Sequence, residues 1–287
     1  MLVHVPRLVT IEVGSSPGSL CAEEILSVIN EIADLTVGSA RFVLHDHEAI
    51  DTLVRVAEHA QYRDVNAIIS LPRGDERALR AAASIAPAAI ALPLQSHCEM
   101  LHDAIAGDCC TWRETAAFAA IARHEGIAVE LETRVVSANA YELVTIAGVA
   151  TALHASRWRV DFSLVKPHPS ATSVILGVAG RGALAITVHA LPQLRLALLQ
   201  QMTGDFRVPD LRRLSSIDRA ESVHIAHDGA VVIPGRANEI AGSVRRQTVA
   251  GIFNGSETYA RLRAPRRLTP PPQLARRSRF STSMARG

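Results

Sequence analysis

The chain opens with a β-branched run, Leu8-Val-Thr-Ile-Glu-Val13, that stops at a small-residue loop, Gly14-Ser-Ser-Pro-Gly-Ser19. Apolar residues then recur at Ile25, Val28, Ile29, Ile32 and Leu35, the spacing of one helix face. Glu23 and Glu24 fall in the first turn, where the positive end of the helix dipole favours acids. This strand–loop–helix unit repeats. Arg41–Leu44 reads as a second strand, followed by an amphipathic helix over Ala49–His59 carrying Ile50, Leu53, Val54 and Val56. Asn66–Ser70 is a third strand, Asp75–Ile85 an alanine-rich helix and Pro87–Leu94 a fourth strand, with an irregular stretch after it. Thr111-Trp-Arg-Glu114 has the form of a capping box and begins a helix to about Glu125, ended by Gly126. Ile127–Val136 is a fifth strand, Asn139 caps a helix running to about Leu153, and Val160–Val165 is a sixth strand. Ala183–Val188 and Leu191–Gln201 add a strand and a helix.

Strands alternating with helices of this length predict a parallel sheet of βαβ units. The strands read as nearly all apolar, as strands covered by helices should be. The alternation fades after Pro167, so the expected fold is α/β, a partial (β/α)6 TIM-like barrel rather than a complete eightfold one. From about Phe206 the texture changes. Ser222–Ile233 is a hairpin turning at His227-Asp228-Gly229, and small helices follow over Thr248–Phe253 and Ser256–Arg263. The expected division is a barrel over 1–205, a small α+β C-terminal extension over 206–265, and a disordered Arg- and Pro-rich tail over 266–287.

A chain of 287 residues can bury a full core. The formal net charge of +2 is too small to imply a nucleic-acid partner, and its positive excess lies in Arg261–Arg286, which contains no acid. No apolar run is long enough to span a bilayer, and the start lacks the basic and apolar regions of a signal peptide, so the expectation is a cytoplasmic protein without a membrane partner. Cys21, Cys98, Cys109 and Cys110 follow no disulfide or zinc-finger spacing, which suits a reducing compartment.

In chain order, four segments resemble the radical S-adenosylmethionine (SAM) proteins that carry a C-terminal SPASM or twitch extension, in the branch that matures peptide-derived cofactors and modified haems. They are Leu8–Val13, Leu44-His-Asp-His-Glu-Ala49, Glu99–Gly107 with Trp112, Arg113 and Thr115, and His224–Pro234 with Ala241–Arg245. The resemblance covers roughly Pro6 to Pro265. It implies a SAM-binding barrel with a [4Fe–4S] cluster held by three cysteines, usually C-x3-C-x2-C, in the loop after the first strand. Here that loop is Gly14–Ser19 with only Cys21 beyond it, so no [4Fe–4S] cluster is expected. Asp46 and His47 replace the SAM-binding glycines and only Glu48 persists, while Gly235 stands where the extension would place its first cysteine. The implied function is that of a cluster-less member. It would be non-catalytic or accessory, binding a SAM-like ligand, a peptide or a partner enzyme in a maturation pathway. The alternatives are a repurposed SAM- or metal-dependent enzyme using His45–Glu48, or the product of a decayed radical SAM gene.

By analogy with strand-end positions of that fold, the residues expected to touch a retained S-adenosyl-L-methionine are Glu48, Ser70, Ser96 and Asn139. His45 and His47 share one face of an extended segment and are the candidate metal ligands, joined by His97, His102 or Asp103. The competing reading makes Asp46 a helix cap with Glu48 in the first turn, and His102-Asp103 a turn that orders the loop before Thr111. The loop Gly14–Ser19 lacks the P-loop lysine, which favours a plain connection over an anion cradle. Ligation of a displaced cluster by Cys98, Cys109 and Cys110 with Cys21 is disfavoured because adjacent thiolates are poor co-ligands.

Overall fold

The computed structural model describes residues 4–72, 76–109, 111–165, 171–179, 184–191, 194, 214–217, 219–233 and 236–264. The tail expected to be disordered, most of the helix expected over Leu191–Gln201, and Cys110 lie outside the described residues.

One sheet organises the molecule. Its strands are β1 (Leu8–Val13), β2 (Ser39–Leu44), β3 (Asn66–Ser70), β4 (Ala89–Pro93), β5 (Val129–Arg134), β6 (Arg157–Asp161), β7 (Ala185–His189) and β8 (Leu214–Ile217), then β9 (Ser222–Ile225), β10 (Ala230–Ile233) and β11 (Arg236–Ser243). The spatial order is β11-β10-β9-β1-β2-β3-β4-β5-β6-β7-β8. From β9 through β8 every pairing is parallel, while β10 and β11 are antiparallel. The helices are α1 (Ala22–Asp34), α2 (Ile50–Tyr62), α3 (Glu76–Ser84), α4 (Glu99–Ala106), α5 (Thr111–His124), α6 (Leu143–Ala152), α7 (Ala171–Ala179), α8 (Val249–Gly255) and α9 (Glu257–Arg263). This is the curled, open partial barrel that the alternation predicts, extended beyond six units by β7, β8 and, at the other edge, β9.

The core lies between the sheet and its helices. Alternate strand residues, among them Val9, Ile11, Phe42, Ile69, Leu131, Trp158 and Ile186, are fully buried, and each such side chain contributes about 1.5–3 kcal/mol relative to exposure. The other set of positions carries the polar residues of the opposite, concave face.

Several sequence expectations need correction. Strand β6 occupies Arg157–Asp161 rather than Val160–Val165, because Asp161 accepts hydrogen bonds from the Ser163 N–H and hydroxyl and turns the chain away. The stretch after β4 is not irregular: it contains α4, ended by Gly107 at φ +80. Thr111 is itself the first residue of α5, and the carboxylate of Asp103 takes the Trp112 N–H at 3.0 Å. Asn139 is not the cap of α6, which starts at Leu143 with Glu142 before it. The C-terminal hairpin continues the main sheet through β9, and Thr248 and Ser256 cap α8 and α9 with their side chains.

Candidate functional site

The concave face is built by period-2 alternation. Along β5, Glu130, Glu132 and Arg134 alternate with Val129, Leu131 and Thr133; along β6, Arg157, Arg159 and Asp161 alternate with Trp158 and Val160. The expectation of nearly all-apolar strands is therefore overturned here, since only one face of these strands meets helices. Arg41 of β2 donates to Glu130 at 2.7 Å and also to Glu132. Strands β2 and β5 are separated by β3 and β4, about 14 Å along the sheet, so this contact is a chord across a curled surface. Ser70 of β3 donates to Glu132 at 3.3 Å, Arg157 pairs with Glu130 at 3.1 Å, and Arg159 lies 3.6 Å from Glu132. Burial works to raise the Glu132 pKa, but Arg41 and Arg159, with the Ser70 hydroxyl and Arg134, outweigh it and hold the carboxyl below its usual range. His189 is held neutral, its pKa pushed well down by burial and by Arg159, Arg41 and Arg7.

At the carboxyl ends of β9, β1 and β2 a second group assembles. Glu12 accepts from His224 Nε2 at 2.9 Å and from the His227 N–H at 3.2 Å. Its burial raises the carboxyl pKa, yet the hydrogen bond and charge of His224, then the backbone N–H of His227, bring it down to about 2. His45, the first residue past β2, stacks on His227 with ring centroids 4.6 Å apart. Next to them the Gly14–Ser19 loop is tied to the β2 end. Asp46 accepts from the Ser15 N–H at 2.8 Å and hydroxyl at 2.7 Å, and from the Ala49 N–H at 3.1 Å, while Ser15 also donates to Glu48 at 3.1 Å. A Cβ at Gly14 would stand 3.1 Å from Ser19 Oγ, 3.3 Å from His227 Cβ and 3.4 Å from Asp46, so this turn has little room for a side chain.

The sequence-predicted residues divide accordingly. Glu48 engages the loop through Ser15, and Ser70 joins the concave ion lattice. Ser96 donates to Glu142 at 2.6 Å and accepts from the Cys98 N–H at 3.0 Å. Asn139 is fully buried, its amide donating to the carbonyls of Gln95 and Arg134 and accepting from the Val136 N–H, which makes it a brace between the β4 and β5 ends. His45 enters a potential ligand group, but with Glu12 and His227 rather than with His47. His97 pairs with Glu142 at 3.1 Å. His102 is buried, accepts from the Gln95 N–H at 3.0 Å, and has its pKa lowered chiefly by burial, against the opposing charge of Asp103.

Cys21 is the exposed residue preceding α1 and Cys98 the exposed residue preceding α4, and among the described residues no group close enough to share one metal ion contains Cys21, Cys98 or Cys109. For S-adenosylmethionine, Glu48 Oε2, the Ser70 and Ser96 hydroxyls and the Asn139 amide each hold a protein partner that a ligand would share or displace, and the Asp46 carboxylate is bonded to Ser15 and Ala49 at the turn expected to approach the ligand.

Glu12, His224 and His227 are the functional candidates that the sequence reading missed. Glu12 is the lone charge in a β-branched strand, which was the available signal; its partners lie more than two hundred residues away, which is why the signal went unread.

No family model and no curated protein sequence matches the chain. Solved structures do. The Streptococcus suis SuiB bound to precursor peptide SuiA superposes with a TM-score of 0.63 at 12% identity, covering 91% of this chain and 67% of SuiB. The structure of anSMEcpe with bound AdoMet and Cp18Cys peptide gives 0.55 at 12% identity, covering 90% and 82%. The Bacillus subtilis HMG-CoA lyase gives 0.54 at 11% identity, covering 75% and 77%. At these identities the likeness is one of fold alone, that of a curled, partial TIM-like barrel.

Proposed function

We propose that this protein is a cluster-less barrel of the radical SAM type that acts by binding, as an accessory component in peptide or cofactor maturation. A peptide, a SAM-like ligand or a partner enzyme would be the bound species. The observation that carries the reading is the Ser15–Asp46–Glu48 tie: the loop after β1 is held down by side-chain hydrogen bonds and has no cysteine of its own. Support for the ligand classes comes from SuiB, solved with a precursor peptide and with S-adenosylmethionine, and from anSMEcpe, solved with AdoMet and a peptide. No described helix is long and apolar enough to cross a membrane.

The test is a calorimetric titration of S-adenosylmethionine into the full chain under air. Saturable binding that weakens in Glu48→Gln and Ser70→Ala supports a retained ligand site. Absence of heat at millimolar ligand removes the SAM-like ligand and leaves peptide or partner binding. A second reading, a repurposed metal-dependent enzyme at the β2 end, draws on the place of His45 beside Glu12 and His227.

A further inference from the structure

We propose that Glu12, His45 and His227 form a binding site for a late first-row divalent cation, zinc being the reference ion. The site is defined by its own geometry and is independent of the binding role proposed above. Three adjacent strands supply it: Glu12 from β1, His45 from the end of β2 and His227 from the turn after β9. One ligand atom from each residue lies within 4.8 Å of the other two. His227 Nδ1 stands 3.5 Å from Glu12 Oε2, but this buried nitrogen makes no hydrogen bond. Two ligands at about 2.1 Å from a tetrahedral ion are separated by about 3.4 Å, so the spacing suits a shared ion better than a direct bond.

The His45 and His227 rings are stacked, 4.6 Å apart at 12°, so the exposed His45 ring turns about its side-chain torsions to aim a nitrogen at an ion held by Glu12 and His227. His224 Nε2, bonded to Glu12 Oε1 at 2.9 Å, fixes the carboxylate, as outer-shell partners of metal ligands do. The His45 N–H donates to the Val13 carbonyl at 2.8 Å, anchoring that ligand to the end of β1. Gly14 lets the chain pass His227 where a Cβ would press on it. Asp46 next door is spent on Ser15 and Ala49, which leaves three protein ligands. Because His45 is exposed, the fourth position of the ion faces solvent and can take water or a small anionic ligand. Imidazole and carboxylate donors select zinc, nickel, copper or iron(II) over magnesium and calcium.

The experiment uses the full chain freed of metal by chelator and titrated with Zn2+ in competition with a chromogenic chelator, then with Co2+ for its ligand-field spectrum. The expected result is stoichiometric binding, weakened at least about tenfold in each of Glu12→Gln, His45→Ala and His227→Ala and unchanged in His47→Ala and Cys21→Ser. The cobalt spectrum should lack a thiolate charge-transfer band. His45→Ala is decisive because that side chain is exposed, and far-UV circular dichroism verifies each variant's fold. Failure of the wild type to bind stoichiometrically, wild-type affinity in folded His45→Ala, or a thiolate band would each overturn the assignment. Metal is read here without SAM, so its outcome is separate from that of the binding role.

Discussion

Replacing Arg41 by methionine tests whether the charged lattice holds the concave face together. Arg41 is only 3% exposed, yet it serves two carboxylates, Glu130 at 2.7 Å and Glu132 on the same strand. Removing one partner of a buried ion pair costs about 3–5 kcal/mol, because the remaining charge stays desolvated. Here the loss falls at the lower end, near 3 kcal/mol, since Glu130 keeps Arg157 at 3.1 Å and Glu132 keeps Arg159 at 3.6 Å. For a domain of this size that corresponds to a drop in Tm of about 6–12 °C. The assay is equilibrium unfolding in urea, followed by far-UV circular dichroism and by the fluorescence of fully buried Trp158. Adding Glu132→Gln to Arg41→Met removes the stranded charge and should recover part of the stability, a coupling that the double-mutant cycle reads directly. A loss below about 1 kcal/mol for Arg41→Met, or additive effects in the cycle, would refute the view that these groups are buried and coupled.

Other consequences follow from particular residues. His189 and His102 both have lowered pKa values, so below about pH 6.5 the unfolded chain takes up protons that the folded chain does not, and stability falls as pH falls. A pH series of urea unfolding should show that decline, and His189→Gln should flatten it. The buried Tyr259 hydroxyl donates to the Ser222 carbonyl at 2.9 Å and its pKa is pushed up by burial; Tyr259→Phe should cost about 1–3 kcal/mol by leaving that acceptor unpaired, measured by thermal unfolding. Asp46→Ala removes three hydrogen bonds that hold the Gly14–Ser19 loop and the turn after β2, and should speed amide exchange at Ser15 and Ala49 by mass spectrometry while leaving β5 and β6 protected.

Much of this fold is legible in the sequence. β3 and the two C-terminal helices fall where the pattern puts them because β-branched runs and Thr or Ser caps act locally. The parallel, partial-barrel arrangement of the βαβ units is legible too, since their short connections leave few alternatives, whereas the place of β9 beside β1 is not, because that pairing spans most of the chain. The concave face is harder to read. Arg157, Arg159, Glu130 and Glu132 look like surface charges until the curl brings β2 opposite β5 and sets Arg41 against the two carboxylates, which the two β6 arginines also face. The candidate metal group is harder still. His45 stood out beside His47, its neighbour in sequence, but a strand end turning into a helical cap separates their roles, and its companions arrive from β1 and from β9 at the far end of the chain. Asn139 misled for a related reason: a capping residue type was present, but its amide braces two strand ends.

The proposed binding role requires that this partial barrel carry no iron–sulfur centre, and anaerobic reconstitution with iron and sulfide tests that most directly. The quantities to measure are acid-labile sulfide per chain and 5′-deoxyadenosine formed from S-adenosylmethionine in the presence of a strong reductant. Sulfide is the discriminating readout, because iron alone could occupy the histidine–glutamate group. The account predicts sulfide far below cluster stoichiometry and no cleavage product. Four sulfides per chain together with reductive cleavage would contradict it.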